Sequence, residues 1–552
     1  MSKLALQALF KNNLKSYFFL FIIFFTSLII FFTSLSLYRT NKAISFAINQ
    51  DFSQSSQIAK KAQVFPKILS TITFKKSSTI ESWVTSLDII TTLPSLQETL
   101  SEVANNLFSS ETRKNSLIDL ELKLTSLQTQ LNKLQLSTDS SFILSNFKTR
   151  EKLPKLIKYN QQLITILENI NQGPHTILVL LQNTDEIRAS GGFMGSYARI
   201  DFNQGNISNI SIQDIYEPDG QFTGYVDAPP GAKEYLSGGD GLRLPDSNWH
   251  PDFPTSAKII SSYFAFGDER QIDSIAAVNV EIIERILKIT GDIFLPDYGV
   301  TVTADNLSAL ARADRNSFFA GSKQKVNFLS VLFDHLKLKL ENLDKDQQIR
   351  LLNQIFISLE HKEIQLFSWH QPLQDIFNDY NFAGGIEYRD QSDFYLYLVE
   401  SNVGINKANK KISRDVSISL GNNRSDLEII FNNDGTESLL DYINYQRLIL
   451  EPSVIVKEVK FDNNVVEFYE DIITNSEGQT FKQIGFLLPL ESGQTKKLEV
   501  TLNHSQICSD RSCQLQLQKQ SGLPPTPYKI KFMDQTKNII LEEDEIINFI
   551  NK

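Results

Sequence analysis

The run YFFLFIIFFTSLIIFFTSLSLY, Tyr17 to Tyr38, constrains this chain more than any other stretch, because 22 residues pass without a charge. A helix of that length crosses roughly 30 Å of hydrocarbon. Tyrosines stand at both ends, where amphipathic rings prefer the membrane interface. The apolar core of a secretory signal is shorter, about 7–15 residues, and no small-residue cleavage pattern follows this run. A buried core helix this uniformly apolar is not expected next to the N-terminus. The run therefore predicts an uncleaved transmembrane helix over 17–38, with residues 1–16 as a cytoplasmic N-terminus. Lys3, Lys11 and Lys15 precede it without an acid, while Arg39 and Lys42 follow. That bias predicts a single-pass protein of the cell membrane with the N-terminus inside and the bulk of the chain extracytoplasmic. No other stretch is long enough for a second span.

A chain of 552 residues with 41% apolar residues has material for several cores. Its formal charge of −10 argues against a nucleic-acid binder, and no Lys/Arg cluster longer than a pair or triplet such as KANKK offers a basic stripe. The two cysteines fall in the sequence CSDRSC, so Cys508 and Cys513 flank a turn-like Ser-Asp-Arg-Ser. In an oxidising compartment they would close a small disulfide loop, and in a reducing one they would stay as two free thiols. Two sulfurs without nearby partners make a poor zinc site.

Residues 39–172 contain no glycine and read as a helical stalk. Leu117, Leu120, Leu124, Leu127, Leu131 and Leu134 step by 3, 4, 3, 4, 3, which is an a/d seam. A helical hairpin or bundle packing on itself and a coiled-coil oligomer both satisfy it. From 173 to 407, strand-like segments (HTILVLLQ, SYARIDF, ISNISIQDI, IDSIAAV, IQLFSW, DFYLYLVE) alternate with amphipathic helical ones, predicting an α/β layered domain. From 408 to 535, short alternating strands separated by turns such as NNDG predict an all-β sandwich. Residues 536–552 read as an acidic tail, frayed or briefly helical.

The P-loop, the G-x-S-x-G elbow and the H-E-x-x-H helix are all missing from the sequence. Three polar loops of the α/β domain remain as candidates. In NTDEIRASGGF, at a strand end, Arg188 would fork onto an anion while Gly191 and Gly192 let backbone N–H groups approach it. The plainer alternative pairs Arg188 with Asp185 or Glu186 and leaves the glycines to turn the chain. The second loop, DIYEPDGQF, carries Asp214, Glu217 and Asp219. The third, LRLPDSNWHPDFPTSA, carries Arg243, Asp246, His250 and Asp252 just before a helix. Two arginines with several acids would suit a Mg²⁺-dependent pyrophosphate site, and would equally suit ordinary salt bridges.

The segments LLQNTDEIRASGGFMGSYARID, LRLPDSNWHPDFPTSA, IDSIAAVNVEIIERILKITG, VESNVGINKANKKISR and LQLQKQSG, in this order, resemble the bacterial domain of unknown function family numbered 4012. The resemblance runs from about Thr176 to about Phe532. It implies a membrane-anchored envelope protein without an established activity. The family's α/β part is distantly similar to the LytR-CpsA-Psr phosphotransferases, which move glycopolymers from a polyprenyl-pyrophosphate carrier using arginines, acids and Mg²⁺. This sequence lacks their arginine-rich segment after the core. Two expectations follow. In one, Arg188 and Arg243 clamp the phosphates of a polyprenyl-linked glycan, with Asp246 and Asp252 as metal ligands or acid/base groups. In the other, the chain is a non-enzymatic adhesion or scaffold protein whose sandwich binds an envelope partner.

Overall fold

The computed structural model describes residues 26–550 apart from 48, 50, 73–77, 106–109, 138–148, 266–271, 311–323, 389–392, 438–439, 506–507 and 509–511. The expected cytoplasmic N-terminus and residues 17–25 of the expected transmembrane helix lie outside the described residues. The chain divides into two compact units, Met1–Gln172 and Gly173–Lys552.

The first unit is helical. It contains α1 (residues 26–47), α2 (Phe52–Ile72), α3 (Ser78–Asn105), α4 (Ser110–Ser137) and α5 (Thr149–Asn171). Neighbours in sequence pack against each other. Ser36 Oγ donates to Ala62 O and Ser55 Oγ to Ala43 O, which fixes α1 and α2 antiparallel. Gln63 Nε2 reaches Asp88 on α3, and Asn160 Nδ2 of α5 donates to Leu124 O of α4. The leucine seam is used within the chain: Leu117, Leu120 and Leu124 pack against Ile164 and Leu167, and Leu131 and Leu134 against Leu153. The 3-4 spacing is thus a bundle seam. Among the described residues, no helix is long and apolar enough to cross a membrane. The described part of the apolar run, within α1, exposes Leu28, Ile29, Ile30, Phe31 and Phe32.

The second unit opens with a five-stranded sheet in the order β3-β2-β1-β4-β7, built from β1 (Pro174–Arg188), β2 (Gly191–Asn203), β3 (Asn206–Asp214), β4 (Ser274–Asn279) and β7 (Ile364–Ser368). Only β1 and β4 run parallel. The helices α6 (Phe253–Ala265), α7 (Val280–Thr290), α8 (Gln324–Glu341), α9 (Lys345–Glu360) and α10 (Gln371–Asp379) and a small hairpin, β5 (Ile293–Leu295) with β6 (Val300–Val302), complete this layer. The remaining strands form a sandwich. Its six-stranded sheet has the order β14-β15-β11-β8-β17-β20: β14 (Tyr469–Thr474), β15 (Thr480–Leu490), β11 (Tyr442–Leu450), β8 (Phe394–Val399), β17 (Ser512–Gln518) and β20 (Glu545–Ile550). Facing it is a seven-stranded sheet in the order β13 (Asn464–Val465), β12 (Ile455–Phe461), β16 (Thr495–Asn503), β10 (Arg424–Asn433), β9 (Ile412–Leu420), β18 (Thr526–Phe532) and β19 (Gln535–Leu541).

Two expectations are corrected here. The strand in DFYLYLVE, β8, does not close the α/β sheet; it lies inside the six-stranded sheet, parallel to β17. All six of its residues are buried because that sheet is covered on both faces. One face meets the seven-stranded sheet in the main core, and the other meets Ala189 and Ile386 of the α/β layer through Tyr395, Tyr397, Val399, Ile449 and Phe481. The tail read as frayed or helical supplies β19 and β20, with Ile547 and Phe549 buried at period two. Its acids, Glu542 to Glu545, fall in the turn between β19 and β20 and on the first residue of β20, and the charge count concealed the alternation that follows.

Candidate functional site

The stretch read as a loop, NTDEIRASGGF, is the tip of the β1–β2 hairpin. β1 continues to Arg188, Ala189 and Ser190 turn the chain, and β2 starts at Gly191. The register slips between Leu181 and Gln182 and again between Asn183 and Ile187. The glycines are there for contact. At Gly191, φ is +132°, and a Cβ would lie 2.0 Å from Gln182 Oε1; at Gly192 it would lie 2.2 Å from the Asn183 backbone.

Arg188 is 1% exposed. Its Nε donates to Asp246 Oδ1 and one terminal nitrogen to Glu186 Oε1, both at 2.9 Å. The other donates to Asn402 O at 2.9 Å and Ile187 O at 3.2 Å. Burial alone pushes the guanidinium pKa down, but Asp246 and Glu186 outweigh it and leave it raised. Arg243 pairs with Asp219, whose Oδ1 also accepts the N–H of Leu244. The hydrogen bond to Asp219 holds the Arg243 pKa up, and about half of that side chain remains in solvent.

Asp252 is fully buried, away from the arginines. It accepts from Thr255 N (3.0 Å) and Thr255 Oγ1 (2.6 Å) at the start of α6, and from Ile386 N (2.9 Å) and Ser476 N (3.0 Å). It is a cap and a clasp between the α/β layer and the sandwich. Trp249, in the same loop, stacks on the guanidinium of Arg447 at 4.5 Å. His250 is partly buried, and the loss of water around it pushes its pKa down.

The three loops do meet. Asn248 Nδ2 donates to Gly192 O, Ser190 to Asn248 O, and Arg188 joins Asp246. Above this junction stands half-exposed Tyr216, its phenol pKa raised by burial and by Asp246, Glu186, Asp214 and Asp219. Those four carboxylates outnumber the cations Arg188 and Arg243 around Tyr216. Such a field disfavours a pyrophosphate. Among the described residues, no group of three or more His, Cys, Asp or Glu side chains is arranged to hold a metal ion. The acids proposed for Mg²⁺ do not fit it: Asp246 faces Arg188 and Asp252 belongs to a different contact. Cys508 and Cys513 are joined as a disulfide.

Sequence reasoning missed what the hairpin tip is inserted into. Asn402 N donates to Ile187 O, Asn409 Nδ2 to Thr184 O, and Gln520 Nε2 to both Arg188 O and Glu400 O. Ile187 reaches the main core of the sandwich. The segments VESNVGINKANKKISR and LQLQKQSG, which stood out as motifs without a role, are the socket of this joint. Their signal was amides inside apolar strands, which need partners when buried.

Residues 172–315 match the family described as "Protein of unknown function (DUF4012)". No curated protein matches the sequence. Among solved structures, the chain is similar to "Structure of native yeast LTA4 hydrolase" at 11% identity and TM-score 0.13, covering 26% of this chain and 27% of that one. It is likewise similar to "Structure of yeast LTA4 hydrolase in complex with Bestatin" at 10% identity and TM-score 0.15, covering 26% and 29%. The aligned part spans under two thirds of those chains, and scores this low carry no argument about fold or function.

Proposed function

We propose that this chain is a single-pass, extracytoplasmic protein of the cell envelope, with a helical unit, the stalk, and a second unit, the head, that binds a partner and performs no chemistry. The observation that carries this reading is the sealed state of Arg188, whose donors are taken by two carboxylates and two backbone carbonyls of the same chain. Four of its five N–H groups are so taken and the side chain is 1% exposed, so it is shut off from an anionic ligand in solvent, and its hairpin locks two layers together. The anchor is supported by the exposed row Leu28–Phe32, which continues in sequence an uncharged run beginning at Tyr17.

The meeting of three loops around Tyr216 favours a second reading, in which this junction takes the phosphate of a polyprenyl-linked glycan through half-exposed Arg243. The excess of carboxylates speaks against it. Extraction of the full chain from its native membrane in mild detergent, followed by mass spectrometry of co-purifying lipids, separates the two. Ordinary phospholipids in both wild type and Arg243→Ala support the partner-binding head. A polyprenyl phosphate species present in the wild type and lost in the variant overturns it.

A further inference from the structure

The helix α9 is held firmly on its inner side. Its first turn is closed by a capping box, in which Asp344 Oδ1 accepts the N–H of Gln347 at 2.8 Å and Gln347 Oε1 accepts that of Asp344 at 3.0 Å. Gln347 Nε2 donates to Ile289 O of α7 at 3.0 Å, and Arg285 of α7 reaches Ser358 Oγ at 3.3 Å near the other end, where Ser358 and Leu359 are buried. The outer side carries the larger apolar residues. Ile349, Leu352 and Phe356 are 58%, 46% and 57% exposed. Steps of three and four residues put them in one strip, about 10 Å long. A surface helix ordinarily turns such a strip inward. Large apolar side chains kept together in solvent mark a contact surface.

The strip ends on negative charge. α9 stops at Glu360, so its carbonyl end and that carboxylate lie together, and its last turn holds no basic residue to offset them. Glu543, in the turn between β19 and β20, sits beside it: burial, then Glu360 and Glu545, hold the Glu543 pKa up. Among the described residues, the carboxylates of Glu360, Glu543 and Glu545 have no hydrogen-bond or ion-pair partner. The next residues in sequence are turned elsewhere: His361 faces Glu542 at 3.7 Å, and Lys362 Nζ faces Asp544 at 2.8 Å. Three carboxylates at a helix C-terminus are thus left for a cation from outside, and they repel an anionic lipid surface.

We propose that the outer face of α9 and the acidic end beside it form a docking surface for an amphipathic helix of a partner protein. The apolar stripe of that helix covers Ile349, Leu352 and Phe356, and lysine or arginine residues at one of its ends meet Glu360, Glu543 and Glu545. The apolar strip supplies the affinity, and the carboxylates fix the direction in which the helix lies. The proposal rests on the reading of the head as a binding module and names the class of partner.

The test uses the full chain in mild detergent, with detergent alone as the blank, and a fluorescent helical peptide carrying leucines at three- and four-residue steps and lysines at one end. Its counterpart has glutamates for the lysines. The lysine peptide is expected to bind, to slow amide exchange over residues 349–360, and to lose about threefold in affinity in about 0.5 M salt. Ile349→Ser with Phe356→Ser is expected to weaken it by about tenfold, and Glu360→Gln with Glu543→Gln by about threefold, with the salt dependence gone. All four side chains are exposed, so an unchanged denaturant melt shows that each variant keeps its fold. Equal binding of both peptides, no binding, or protection away from α9 overturns the proposal. So does protection over 349–360 that grows with protein concentration without peptide, because a second copy of this chain then covers the strip. Failure of the chain to float with liposomes would sink the envelope reading and leave the peptide result standing.

Discussion

In the stalk the interior is apolar with neutral polar groups such as Ser55 and Asn160 among it, and ion pairs such as Lys123 with Asp119 or Lys67 with Asp88 run along half-exposed flanks. In the head, whole cations are inside. Arg414 forks onto Glu400, Arg188 meets Glu186 and Asp246, and Lys519 donates to His361 O and Gln520 O. Arg447 has Trp249 O and Ser401 Oγ but no carboxylate, and burial pushes it down to about 10. The difference is in how each fold fails. A bundle seam loses stability roughly in proportion to the apolar volume removed. A buried charge that loses its partner costs several kcal/mol at once, because it is left without water or counter-charge. Acceptors for Arg188 come from the α/β layer and from the sandwich side, so the two layers depend on each other.

The largest expected effect follows directly. Arg188→Met leaves the buried Glu186 carboxylate and the Asn402 carbonyl without their donor, and should destabilise the head by about 3–5 kcal/mol. Denaturant melting of the full chain measures this. The double variant Glu186→Gln/Arg188→Met should recover part of the loss, since the orphaned charge is gone. A cost under about 1 kcal/mol for the single variant would show the head to be as tolerant as a surface.

Lys519 gives a pH signature that the stalk does not share. Burial, helped by nearby Lys362, lowers its pKa to about 8, against the ordinary 10.5. Below about pH 8 the folded and unfolded states both hold the proton, and the folded state bears the full cost of a buried ammonium. Between 8 and 10.5 the folded state releases its proton first, so stability rises with pH across that window. The total gain is about 3 kcal/mol. Lys519→Met should flatten this rise, which urea titrations at pH 7.5, 9 and about 10.5 would reveal. A slope of unchanged size in the variant would assign it elsewhere.

The stalk counterpart is Leu124→Ala, which empties a seam position between Ile164 and Leu117 and should cost about 2–3 kcal/mol. Amide exchange over α4 and α5 should speed up accordingly. If instead Leu124→Ala left these helices unchanged, the seam would not be the interior of the bundle.

This contrast also sets what was legible in the sequence. Periodicity reports which face of an element is buried, so the leucine seam and most strands of the head could be read directly. It carries no address for the partner. Arg188 finds Asp246 58 positions away, Asn402 214 away and Gln520 332 away. No local pattern encodes such pairs, and Arg188 therefore looked available to a ligand. Asp252 misled for the same reason: a carboxylate before a helix suggests a cap, but two of its four donors come from residues 386 and 476. β8 was misplaced because an all-buried strand reads the same in either sheet. In the tail, the acids of LEEDEIINFINK hid Ile547 and Phe549, which alternate into the core.

The smallest effect tests the other side of the contrast. Lys67 lies 3.3 Å from Asp88 and 3.0 Å from Gln63 Oε1, with about half of its side chain in water. Gln63 Nε2 already donates to Asp88 at 2.8 Å, so removing the lysine breaks no other contact. Lys67→Ala should therefore cost about 0.5 kcal/mol or less, and that cost should vanish in about 1 M salt, where the charges are screened. Denaturant melting at low and high salt measures both numbers. A loss above about 1.5 kcal/mol, insensitive to salt, would mean that Lys67, Gln63 and Asp88 act as one desolvated network. The stalk would then owe its order to the same long-range polar contacts as the head, and its leucine seam would explain less than its periodicity suggests.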